Sequence, residues 1–167
     1  MFGFLKTVAV GAGICVALAA GASAADMAKE GVPPGVTAYV SDADFADVSF
    51  NLETAIVNRG LVIDYVSHVG DMLARTKEDV GGTKDLYSNA VAMVFCSANL
   101  SRKVMEADIG NIAYCPYSVF AYEAADAPGS VMVGFRHLDE TGSDASKAAI
   151  GEVNALLNEI VKEAAGG

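Results

Sequence analysis

The segment Asn89 to Cys96 (Asn-Ala-Val-Ala-Met-Val-Phe-Cys) constrains this chain more than any other. It is apolar at alternate and at intervening positions, so as a strand it must be covered on at least one face and lie inside a sheet. A short helix follows, from Asn99 to Ala107, with Leu100, Val104 and Met105 turned inward. Tyr114-Cys115-Pro116 then leads into a second strand, in which Tyr117, Val119 and Ala121 alternate with Ser118, Phe120 and Tyr122. Any fold of this chain has to place these two strands and deliver Cys96 and Cys115 at their ends.

The rest of the pattern surrounds that unit. Val36 to Val40 alternates as a first strand, and Phe45, Val48, Leu52, Ala55 and Ile56 repeat at helical spacing up to Gly60. Leu61 to Val69 reads as a strand with Leu61, Ile63, Tyr65 and Ser67 on one face and Val62, Asp64, Val66 and His68 on the other. Asp71 to Gly82 is a short helix or turn. Val131 to Leu138 pairs with the 117–123 strand after the turn Asp126 to Gly129. The last helix runs from Ser143 to about Ala165, with Ile150, Val153, Leu156, Leu157, Ile160 and Val161 as its apolar stripe and Asn154 among the water-facing residues. This order predicts an α+β two-layer sandwich: a mostly antiparallel sheet of about five strands with helices packed on one face.

Before Val36 the chain reads differently. Met1 to Lys6 is a short positive start, Thr7 to Ala20 an uncharged apolar run, and Ala22-Ser23-Ala24 a small-x-small site. That is the layout of a secretory signal peptide over residues 1–24, followed by a linker over 25–35 and a single domain over 36–165. The run is too short and too rich in Ala and Gly for a retained span. The expected location is therefore periplasmic or secreted, with no membrane association after cleavage.

Cleavage removes Lys6 and no acid, leaving 10 basic against 21 acidic residues and a net charge of −11. Such a surface repels phosphate backbones, which excludes nucleic acid as a partner class. Cleavage also removes Cys15 and leaves Cys96 and Cys115. Outside the cytoplasm this pair reads as a disulfide, a thiol-redox pair or a set of soft-metal ligands.

Taken together, residues 36 to about 138 resemble the DUF302 family, small α+β domains without an assigned function. The resemblance rests on the helix ending in Gly60, on the apolar strand running into Cys96-Ser97-Ala98 and a helix, and on Tyr114-Cys115-Pro116 opening the strand Val119-Phe-Ala-Tyr-Glu123. The family's usual motifs there are Cys-Asn-Pro and Leu-Pro-Cys, so Cys96 keeps its place and Cys115 is displaced by one. The resemblance implies a two-layer sandwich that forms a homodimer, and it implies no reaction.

Three functional readings follow. In the first, the domain is a non-enzymatic binding or accessory module. Its pocket between sheet and helices is lined by Tyr65, Cys96, Met105, Tyr114, Cys115 and Tyr117, and takes an apolar or soft ligand. In the second, Cys96 is a reactive thiol and Cys115 its resolver, with the helix N-terminus, Arg102 and Lys103 favouring the thiolate. A purely structural dimer is a third. His68, Cys96 and Cys115 would be the soft donors for copper or haem iron. Covalent haem attachment is excluded by the absence of a Cys-x-x-Cys-His segment. The chain also lacks a nucleophile elbow, a His-Glu-x-x-His helix and a phosphate-cradling glycine loop.

Overall fold

The long apolar strand is indeed interior. In the computed structural model, which describes residues 32–167, Tyr87–Cys96 (β3) is the longest strand of a five-stranded antiparallel sheet. The other strands are Val36–Ser41 (β1), Val62–Ser67 (β2), Tyr117–Ala124 (β4) and Val131–Arg136 (β5), in the order β1-β5-β4-β3-β2. The expected leader over residues 1–24, and the linker as far as residue 31, lie outside the described residues. Among those described, no helix is long and apolar enough to cross a membrane.

Register assigns each side chain to a face. On the inner face one row runs Thr37, Phe135, Val119, Met93, Val66 and a second Tyr39, Val133, Ala121, Val91. Helices Phe45–Val57 (α1) and Asp144–Ala164 (α4) pack on this face and on each other. They close a core in which Leu52, Ile56, Phe95, Phe135, Ile150 and Leu157 are fully buried. Burying each such side chain is worth about 1.5–3 kcal/mol, so this face is the main source of stability. Of the stripe expected for the last helix, Ile150, Val153, Leu157, Ile160 and Val161 are buried and Leu156 is half-buried against the core. Ser143 caps that helix by accepting from the Ser146 amide at 3.1 Å.

The outer face has rows too: Val40, Met132, Tyr122, Ala90, and Ala38, Gly134, Phe120, Ala92, Ser67. No Cβ fits at Gly134, where it would lie 2.7 Å from the Ala38 methyl and 2.5 Å from the Thr37 carbonyl oxygen. Glycine there lets β1 approach closely and gives the Phe120 row its small-residue neighbours.

Two sequence expectations are corrected. The Leu61 to Val69 strand is not a simple alternation, because its register with β3 shifts between Ile63 and Tyr65. The bulge puts Ile63 and Val66 in the inner rows and Val62 and Tyr65 in the outer ones. Asn154 does not face water: it is 6% exposed, wedged between α4 and the segment after β5.

Helix Val69–Thr76 (α2) lies against the first half of β3, close enough that Gly70 has no room for a Cβ beside the Ala90 amide. Helix Ala98–Ala107 (α3) and a 3₁₀ segment, Ile109–Tyr114, join β3 to β4. Asn111 fixes this crossover, donating to the Val104 carbonyl at 2.9 Å and to Ser146 Oγ on α4 at 2.8 Å.

Candidate functional site

The crossover decides where the sulfurs go. Because β3 and β4 are antiparallel neighbours with Phe95 opposite Tyr117, the end of one strand lies beside the start of the other. The 3₁₀ segment carries the chain back to that end. Cys96 and Cys115 form a disulfide with Cα atoms 6.5 Å apart. A parallel arrangement would have held them a strand length apart.

The surroundings of the disulfide are polar and specific. Ser97, the cap of α3, accepts from the Leu100 amide at 3.3 Å. One turn on, Ser101 Oγ lies 3.6 Å from Cys115 Sγ and 3.0 Å from the Tyr117 hydroxyl. Tyr117 is 1% exposed and packs edge-to-face on Phe95 at 6.2 Å. Burial pushes its phenol above the ordinary 10.0, and the Ser101 hydrogen bond pulls the other way. The cations expected beside Cys96 are engaged elsewhere: Arg102 pairs with Glu106 at 2.7 Å and Lys103 with Glu152 at 2.5 Å.

Next to this cluster the surface is concave. A depression of about 290 Å³ lies where β4 begins and β5 ends, lined by Tyr114, Pro116, Ser118, Arg136, His137 and Leu138 among others. One wall is the segment that carries Cys115. The other is held by Asn154, whose amide accepts from the Leu138 N–H at 2.9 Å and donates to the Leu138 carbonyl at 2.9 Å and to Glu140 at 3.1 Å. The Tyr114 hydroxyl ties the two walls by donating to the Asp139 carbonyl at 3.1 Å. His137 stacks on Phe135, with Nδ1 3.5 Å from Asn154 and Nε2 4.0 Å from Glu140.

Of the residues anticipated from sequence, Cys96, Cys115, Tyr114 and Tyr117 are together at this end of the sheet. Tyr65 is on the outer face opposite Val94 and is 65% exposed, while Met105 is half-buried on α3 and His68 sits at the start of α2. None of these three lines the depression, nor do Cys96 and Cys115; of the expected pocket residues only Tyr114 and Tyr117 line it. Both sulfurs are in the disulfide, so neither is a thiolate donor for the soft-metal set of His68, Cys96 and Cys115. Among the described residues no group of three or more His, Cys, Asp or Glu side chains is placed to hold a metal ion.

Arg136, Ser101 and Asn154 were not anticipated. Arg136 carried a signal, being the one Lys or Arg within the five strands. Ser101 carried none.

The arrangement defines an α+β domain whose crossover is stapled at a strand end. Residues 37–164 match the family described as Domain of unknown function DUF302, and the chain belongs to that family. Among solved structures it is similar to the uncharacterized conserved protein DUF302 from Bacillus stearothermophilus. The TM-score is 0.65 at 12% identity, over 79% of this chain and 99% of that one. At that identity the likeness is one of fold. No curated protein matches the chain.

Proposed function

We propose that the chain is an exported, non-enzymatic binding or accessory domain that takes a small ligand in the depression beside Cys96–Cys115. One observation carries this reading: a concave surface of about 290 Å³ has both walls fixed, one next to the disulfide and the other by the buried amide of Asn154. Pre-organised walls lower the entropy lost on binding. Export is supported by the leader-like residues 1–24 and by a disulfide, which persists in oxidising compartments. The protein recovered from an exporting host should begin at Ala25 by intact mass.

The test of binding is a thermal-shift screen of small organic molecules against the wild type and Ser118→Trp, which fills the depression from an exposed strand position. Hits abolished in Ser118→Trp support the reading. Hits that survive, or none at all, sink it.

The domain also works as a homodimer through its outer sheet face. Rows centred on Phe120, Tyr122 and Met132 are apolar and carry no charge, although the chain has a net charge of −10. The face spans five strands, roughly 20 Å by 20 Å from strand spacing and rise. Two such faces bury roughly 800 Å² in total, under the about 1,000 Å² that a stable specific dimer clears, so the association is a weak one. Light scattering should give twice the chain mass, and Phe120→Lys should give the monomer.

A thiol-redox role is the second reading, favoured by the Ser101 hydroxyl 3.6 Å from Cys115 Sγ. It requires a disulfide that opens under mild reductant with two titratable thiols per chain. A bond that resists reduction in the folded state removes it.

A further inference from the structure

Resting on the ligand-binding reading above, we propose that the depression selects a small organic monocarboxylate, with Arg136 as the residue that receives the carboxylate. Arg136 ends β5 on the outer face, paired across the sheet with Val36. Continuing the β4–β5 register by one step sets Ser118 opposite it. Among the described residues Arg136 makes no ion pair and no side-chain hydrogen bond; Arg75, Lys84 and Lys162 are likewise unpaired, while Arg59, Lys77, Arg102, Lys103 and Lys147 have acidic partners, and Arg136 is the one of the four unpaired cations that lines this depression. In a chain with 21 acidic residues, an arginine that ends a strand at the mouth of a concave surface has its five donors available. A planar carboxylate fits that fork in two parallel hydrogen bonds.

The remaining lining sets the rest of the ligand. Pro116, Leu138 and Ala113 offer apolar contact for a ring or branched body, and Ser118 offers a hydroxyl. The volume, about 290 Å³, admits a ligand of few heavy atoms. Charge at the rim sets the valence. Asp139 lines the depression without approaching Arg136 within 4.0 Å, and Glu140 stands beside His137. One anionic group can face Arg136, and a second would face these carboxylates. A dianion is rejected by like-charge repulsion where a monoanion is not.

The experiment is a titration of the full disulfide-bonded protein with benzoate, benzamide and inorganic phosphate, followed by amide chemical shifts in ¹H–¹⁵N spectra. Benzoate should move the Ser118, Arg136 and His137 amides saturably, with benzamide and phosphate at least tenfold weaker. Arg136→Gln should weaken benzoate at least tenfold, and Arg136→Lys should recover part of the loss. Unchanged spectra elsewhere would show that both variants keep the fold. Equal binding of benzoate and benzamide, or an undiminished affinity in Arg136→Gln, would overturn the carboxylate assignment. Failure of benzoate to bind while the screen returns ligands lost in Ser118→Trp would also overturn it, and would leave the binding reading standing. An absence of any such ligand would remove both.

Discussion

The two faces of the sheet are built from similar residues and have different fates. Inside, Phe135, Val119 and Met93 form a continuous row under α1 and α4 and are lost to solvent. Outside, Tyr122 and Met132 form an equivalent row, and with Phe120 and Tyr87 they line a depression of about 420 Å³. No helix of the described chain closes it. An antiparallel sheet with one solvated face ordinarily alternates apolar and polar residues. This one does not, and the contrast separates the face that holds the domain together from an apolar face that the described helices leave open.

The sharpest way to break that comparison is a pair of substitutions. Phe95→Ala, on the inner face, should cost about 3–5 kcal/mol in chemical denaturation, because it leaves a cavity in a closed core. Phe120→Ala, on the outer face, should cost much less in the monomer and instead shift the association equilibrium. Comparable losses of monomer stability would mean that the outer face is as closed as the inner.

The staple comes next in size. Cys96 and Cys115 are 19 residues apart, and a loop of that size contributes about 3 kcal/mol. The double variant Cys96→Ser/Cys115→Ser should lose about that much in urea while keeping the same sheet. A negligible loss would place the bond outside the stability account and turn attention to its redox use.

Asn154→Ala should cost about 1–3 kcal/mol, since it strands the Leu138 N–H and carbonyl that the amide pairs at 2.9 Å. Amide shifts should change at His137 and Leu138 and be quiet on the outer face. If the shifts spread across both faces, the wall of the depression is not separately held.

The smallest effect is at the β4–β5 turn. Glu123 accepts from the Gly129 amide at 2.8 Å and from Asn89 at 3.1 Å, and these bonds lower its pKa from 4.5. A carboxylate depressed in the folded state stabilises above its unfolded value and loses that contribution as pH falls through the folded one. The wild type should therefore exceed Glu123→Gln slightly in stability above about pH 4.5, with the gap closing at lower pH. A gap that widens in acid would reverse the assignment.

Much of the fold was legible from periodicity. The five strands, the long helices and the inward residues of α4 followed from spacing alone, because each is decided by burial of one face. What escaped depends on partners distant in sequence. The β2 bulge arises from pairing with β3, and it moved Tyr65 to the outer face. Asn154 lies four residues after Ile150 and three before Leu157, so helical spacing puts it on the buried face; its polarity assigned it to water, and the chain after β5 supplies the partners that let it stay buried. The disulfide was open in the sequence because strand direction was open, and the 3₁₀ segment settles it. Arg136 could have been noticed as the lone base among the strands. Its neighbours, however, come from β4 and from the loop after β5.

The depression beside the disulfide is the proposed site on which ligand binding and the role of Arg136 both depend. The most direct measurement is benzoate binding to wild type and Arg136→Gln by amide chemical shift. Saturable shifts at Ser118, Arg136 and His137 that weaken at least tenfold in the variant are the predicted result. Identical titrations of the two proteins would contradict it.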